Sequence, residues 1–176
     1  MESNDPHKES HYQKQFRMTV LFLSAGMLAL LLFCGFLFVS EGRIRTTDPG
    51  SAGTGDEVMW EIESLYYDEE SHYYTIKGWA LIPDEEIETY ECHLLLQNTE
   101  TGAFVQLPGM MTSREDLQER FPELEGSYEA MKSCGFQSVF QRDMLEGELD
   151  QYVICIWYQN NGQDILINTK RTLSQF

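Results

Sequence analysis

The side chains with chemistry to offer in this sequence are few, and their spacing argues against a reaction centre. After residue 41 the cysteines are Cys92, Cys134 and Cys155, an odd number without a CxxC pair. Zinc needs ligands gathered by short spacings, so no metal is expected. Cys92 and Cys155 fall at apolar strand positions, where a free thiol acts as a small hydrophobe; one structural disulfide is the alternative. His72 and His93 are the only histidines in this stretch. No Gly-x-Ser-x-Gly elbow brings a nucleophile towards either. Neighbouring carboxylates such as Asp84 and Glu85 are what an acid-rich composition produces by chance, and the glycines between residues 41 and 56 lack the lysine of a phosphate loop. These readings point to a noncatalytic protein without a cofactor.

The aromatic residues remain. Tyr66, Tyr67, Tyr73, Trp79, Tyr128 and Tyr158 could build a flat platform, because an aromatic face stacks on the apolar face of a sugar ring or on a partner's side chains. From these the candidate binding set is Tyr73, Trp79 and Tyr158, with Arg114 as a buried or rim cation. Core packing is the competing role for Trp60, Trp79 and Trp157.

Charge narrows the partners. The chain has 29 acidic and 12 basic residues, a formal charge of −17. Lys8, Lys14 and Arg17 balance Glu2, Asp5 and Glu9 before residue 18, so the whole excess lies after it, where 9 basic residues (12 − 3) face 26 acidic ones (29 − 3). A phosphate backbone rewards the opposite sign, which sets nucleic acid aside. An acidic domain is also repelled by anionic headgroups and should stand off a membrane surface.

What positions these residues begins with residues 18–40, MTVLFLSAGMLALLLFCGFLFVS, which carry no charge. At ~1.5 Å per residue a helix of this length covers a ~30 Å hydrocarbon core and satisfies its own amides. A cleavable signal peptide would have a shorter apolar region and end in a small-x-small site. Phe38-Val39-Ser40 is a poor one, and Phe33 is too bulky to precede a lipidated Cys34. The expectation is an uncleaved single-pass anchor in the plasma membrane, with residues 1–17 as a cytoplasmic tail. Lys8, Lys14 and Arg17 outnumber Arg43 and Arg45 across the span, which favours the N-terminus inside. Residues 41–56, rich in Gly, Ser, Thr, Asp and Pro, read as a flexible linker.

Residues 57–176 then alternate apolar and polar with period two, broken by turn residues. Val58, Trp60 and Ile62 mark one strand. Residues 73–82 mark a second, with Tyr74, Ile76, Gly78 and Ala80 on one face and Tyr73, Thr75, Lys77 and Trp79 on the other. Further strands fall at 89–97, at 103–107, after Gly135, at 152–159 and at 164–172, and Asn161-Gly162 signals a hairpin between the last two. A short helix is expected over 112–121, with Ser113 and Asp116 at its start. About seven short strands with long cross-connections fit a small antiparallel β-sandwich with one short helix. The expected class is therefore mainly β, behind one transmembrane helix.

Ile76-Lys77-Gly78-Trp79-Ala80, Arg114-Glu115-Asp116-Leu117, Gly135-Phe136 and Leu145-Glu146-Gly147 before the Tyr152 strand form a loose pattern. It resembles small β-sandwich modules that accompany surface-polysaccharide enzymes of Gram-positive bacteria, and it spans most of residues 73–158. The resemblance implies an accessory, noncatalytic module and assigns no ligand. The expected partners are the lipid bilayer and a cell-envelope glycan or envelope protein. The alternative is an assembly subunit of a membrane complex whose transmembrane helix makes the main contact.

Overall fold

A computed structural model describes residues 6–41, 43–85 and 89–175. The chain divides into two units, Met1–Gly42 and Arg43–Phe176. The first is one helix, α1 (Pro6–Glu41). Within it Gln13–Leu37 has a mean hydropathy of 2.5 and none of its surface is buried, so α1 is long and apolar enough to cross a bilayer. Its two central hydroxyls bond back into the helix, Thr19 Oγ1 donating to the Gln15 carbonyl and Ser24 Oγ to that of Leu21, both at 3.0 Å. That satisfies polar groups an apolar medium would otherwise leave bare.

The second unit is built from two sheets. One runs in the order β1 (Arg45–Thr47), β6 (Phe104–Gln106), β5 (Tyr90–Asn98), β9 (Tyr152–Asn160), β10 (Gln163–Thr172), β2 (Gly53–Thr54). The other runs β3 (Met59–Asp68), β4 (Tyr73–Leu81), β8 (Gly135–Gln141), β7 (Gly109–Thr112). All pairs are antiparallel except β2 with β10. The sheets share one apolar cluster, with Tyr74, Ile76, Phe136 and Phe140 from the four-stranded sheet and Leu94, Leu96, Ile154, Ile156, Ile165 and Ile167 from the six-stranded one. The mainly β expectation and the alternation of β4 match this packing.

Turn chemistry fixes the registers. Asn161 and Gly162 both have positive φ, 49° and 81°, as a two-residue hairpin of the twist-matched type requires. In the β5–β6 loop the Asn98 side chain accepts the N–H groups of Glu100 and Thr101 at 2.9 and 3.0 Å, so the chain reverses without losing those donors.

Three expectations need correction. Residues 41–56 are not a free linker from Arg43 onward: β1 pairs with β6, β2 pairs with β10, Pro49 is buried and Ile44 packs on the main cluster. A segment poor in apolar residues is ordered here by borrowing the backbone edges of strands that already exist. The helix expected over 112–121 shrinks to α2 (Asp116–Arg120); its N-cap is Glu115, and Ser113 supplies no cap. A second short helix, α3 (Tyr128–Met131), follows a 3-10 stretch at Pro122–Ser127. The disulfide alternative is not realised, since Cys92, Cys134 and Cys155 are buried free thiols.

Residues 113–134 lie across the outer face of the four-stranded sheet. Leu117, Met131 and Cys134 close a second apolar cluster over Trp79 and Leu81. Gly135 permits this, because a Cβ there would strike the Thr112 hydroxyl and the Arg114 stem.

Candidate functional site

The four residues proposed as a binding set are not brought together. Trp79 is 3% exposed, packed edge-on to Phe121 with centroids 5.5 Å apart. It stands on the outward face of β4, as the alternation requires, yet helical cover turns that face into interior. Tyr158 is 1% exposed in the cluster between the sheets, where it meets Tyr90 at 5.3 Å and donates to Glu85 Oε2 at 3.2 Å. Burial first, then the Glu85 charge, pushes its hydroxyl well above the usual tyrosine range. Tyr73 alone of the three aromatics is open, and it lies at the far end of β4 opposite Asp68 and Gln141.

Arg114 is partly buried and already paired. It makes a two-pronged contact with Glu63 at 2.7 and 2.8 Å and a second with Asp116 at 2.8 and 2.7 Å. Both forks of the guanidinium are thereby used on this chain's own carboxylates. Asp116 first and Glu63 next hold Arg114 above its ordinary basicity, and the Arg114 hydrogen bond holds the Asp116 carboxyl below the usual range. Arg120 adds contacts to Glu61 at 2.7 Å and Glu63 at 3.3 Å. The cluster straps α2 to β3, a positioning role that leaves little of Arg114 for a ligand.

The outer face of the six-stranded sheet differs, since among the described residues of its own unit no helix lies over it as α2 and α3 lie over the other sheet. The registers lay its side chains out as rows. Leu166, Trp157 and His93 form one row, and Asn168, Cys155, Leu95 and Gln106 the next. Asp164, Gln159 and Glu91 flank the Trp157 row on its other side. Leu95 and Cys155 are fully buried yet belong to neither apolar cluster, so alternation with Leu94 and Leu96 places them as the floor of this face. Trp157 is half-buried above them, its ring 5.7 Å from that of His93 at a 49° tilt.

Polar groups tie down this fringe. His93 lies 3.1 Å from Glu91 Oε2 through Nε2 and 3.1 Å from the Gln106 amide through Nδ1. Gln159 donates to Asp164, and Asn168 to Gln97 at 3.4 Å. A polar groove of about 250 Å³ continues the face past Glu91, Gln159 and Asp164 to the β9–β10 turn. The arrangement is one indole over a small apolar floor, with carboxylates, amides and an imidazole around it that bond to one another. Such a surface can stack an apolar ring face and exchange hydrogen bonds with hydroxyls at its edge.

The thiols are not set up as nucleophiles. Burial raises Cys92, Cys134 and Cys155 each to about 12, so thiolate is scarce near neutrality. Among the described residues no group of three or more His, Cys, Asp or Glu side chains is arranged to hold a metal ion.

Trp157 and His93 were visible in the sequence as residues of expected strands, but not their adjacency. The expected strands at 89–97 and 152–159 held half of it. The missing half was the β5–β9 register that pairs residue 93 with 157. Comparison with family models, with curated proteins and with solved structures finds no match.

Proposed function

We propose that this chain is a membrane-anchored, noncatalytic extracytoplasmic module that binds a cell-envelope glycan on the outer face of its six-stranded sheet. The observation carrying this reading is Trp157, partly exposed in the middle of a sheet face that no helix of its own unit covers among the described residues, with His93 and Leu166 in register beside it and Glu91, Gln106, Gln159 and Asp164 around it. A sugar ring offers one face of C–H groups and a rim of hydroxyls that both donate and accept. An indole takes the first, and fixed amides and carboxylates take the second. Because the fringe is already held by internal hydrogen bonds, little side-chain freedom is lost on binding.

α1 supplies the anchor in this reading. It is long and apolar enough to span, and Lys8, Lys14 and Arg17, ahead of its uncharged stretch from residue 18, outnumber Arg43 and Arg45 after it, so in this reading the second unit lies outside. The resemblance of residues 73–158 to polysaccharide-associated sandwich modules points the same way.

The test is retention of the purified full chain, in detergent micelles, on immobilised envelope polysaccharides and a glycan array. Trp157→Ala should weaken retention at least tenfold, about 1.4 kcal/mol, as expected for a central aromatic contact. Tyr73→Ala should leave it unchanged. Equal retention of wild type and Trp157→Ala, or no retention of wild type on any glycan, would sink the reading.

A further inference from the structure

A second surface lies where the chain passes from one sheet to the other. β6 pairs with β5 only at Leu95, Leu96 and Gln97, whereas β9 pairs with β5 along its whole length. Beyond β6 the chain turns away: the Leu107 N–H donates to the Leu94 carbonyl at 2.9 Å, and by Gly109 the backbone has joined Ser138 in the four-stranded sheet. Residues 90–93 therefore have, among the described residues, no strand on their β6 side. Alternate peptide groups of a strand point the same way. With the Leu94 carbonyl aimed at Leu107, the Cys92 N–H and C=O face that open side. β7, last in its sheet, is paired only with β8.

Between these two edges is a cleft of about 140 Å³, with Cys92, Leu107, Met110, Met111 and Phe136 in its wall. A hydrocarbon-lined cavity of about 150 Å³ accommodates a benzene ring, so this cleft has the size for one large apolar side chain. Met110 and Met111 are 66% and 46% exposed at its mouth, and Glu91, with a side chain 68% exposed, stands on its rim. Free strand edges are ordinarily protected by a charge, a proline or a cover. β7, Gly-Met-Met-Thr, carries neither a charge nor a proline.

We propose that this edge receives an extended, basic segment of a partner protein, which adds a strand beside residues 90–93 and seats one aromatic or large aliphatic side chain in the cleft. Main-chain hydrogen bonds supply affinity in such strand addition, and the pocket supplies selectivity. Charge decides the occupant. A formal charge of −17 makes a second copy of this chain a poor neighbour, since the two would repel, while Glu91 matches a lysine or arginine flanking the anchor. Flexible, polarizable methionines at the mouth adjust to the anchor's shape. Glu91 and His93 border both this cleft and the Trp157 face, but Met110 and Met111 belong to the cleft alone, so their variants test this edge apart from the glycan reading.

The experiment titrates the full chain in micelles with three nine-residue peptides. One alternates lysine with valine around a central phenylalanine, one has glutamate for every lysine, and one has proline for both inner valines. The lysine peptide should bind at least tenfold tighter than the other two, and it should slow amide exchange at residues 91–94 and 109–112. Met110→Lys with Met111→Lys should reduce binding at least tenfold, Glu91→Gln two- to threefold, and Met144→Lys, at an exposed methionine elsewhere, should do neither. Equal loss in the Met144→Lys and Met110/Met111 variants would mean unspecific attraction to an acidic domain and would overturn the proposal. So would full binding of the proline peptide, which cannot pair its backbone as a strand.

Discussion

The two sheets each carry a tryptophan on the outward face, and the two residues meet opposite fates. On the four-stranded sheet Trp79 points away from the central cluster, and the helical excursion of residues 113–134 lies over it, so the indole is 3% exposed beneath Leu117, Met131 and Cys134. On the six-stranded sheet Trp157 also points away from the centre, no helix among the described residues of its own unit covers it, and it remains partly exposed. Period two decides which side of a sheet a residue occupies. Whether that side is surface or interior depends on what the connections do, here on one strap held by Arg114, Arg120, Glu61 and Glu63.

Breaking the covered side should have the largest effect. Trp79→Ala, in full chain unfolded by urea in micelles, should lose about 3–5 kcal/mol, because a void opens in a packed cluster. Trp157→Ala should lose less than about 1.5 kcal/mol, in keeping with a ring that already meets water. Equal losses would mean that the two faces are equivalent after all.

A smaller effect should follow from releasing the strap. Arg114→Met should cost about 1–2 kcal/mol at neutral pH, discounted for the solvent that reaches Glu63 and Asp116. The pH dependence has a definite sign. The Asp116 carboxyl titrates lower in the folded chain than unfolded, so its contribution is present above the unfolded value, about pH 4, and is lost as pH falls through the folded one. The gap between wild type and Arg114→Met should therefore narrow below about pH 4. A gap that stays constant down to pH 2 would remove Asp116 from the strap.

The smallest effect expected near neutrality concerns the thiols, one group in each region. Cys134 lies under the strap, while Cys155 is in the floor of the bare face, and both titrate at about 12. Their folded values lie above the unfolded thiol value, so the stabilisation is complete below about pH 8.5 and declines as pH rises towards 12. In a Cys34→Ser background neither should react with iodoacetamide at pH 8 until denaturant is added. Fast labelling of Cys155 with slow labelling of Cys134 would show that the bare face opens more easily than the strapped one.

Much of the architecture could be read in the sequence. The long apolar helix, the alternation of β4, and the Asn161–Gly162 hairpin are local features, set by hydrophobic period and backbone preference within a few residues. Residues 43–56 could not be read that way, because their composition is that of a tether and their order comes from hydrogen bonds to β6 and β10, which lie far along the chain. The candidate site was legible only in part. Tyr158 and Trp79 looked available because aromatic residues at strand positions look alike before their neighbours are known.

By itself, then, the sequence determined the apolar helix, the β character of residues 57–176, the excess negative charge and which strand residues share a side. Tertiary structure alone decided that residues 45–47 and 53–54 of the expected linker pair into the sheet, that Trp79 is interior and Arg114 spent on its own acids, and that His93, Trp157 and Leu166 form a row. The reason lies in range. Side-chain period and turn preference act over a few residues, whereas cover, register and ion pairing bring together residues tens of positions apart, such as 63 with 114 and 93 with 157.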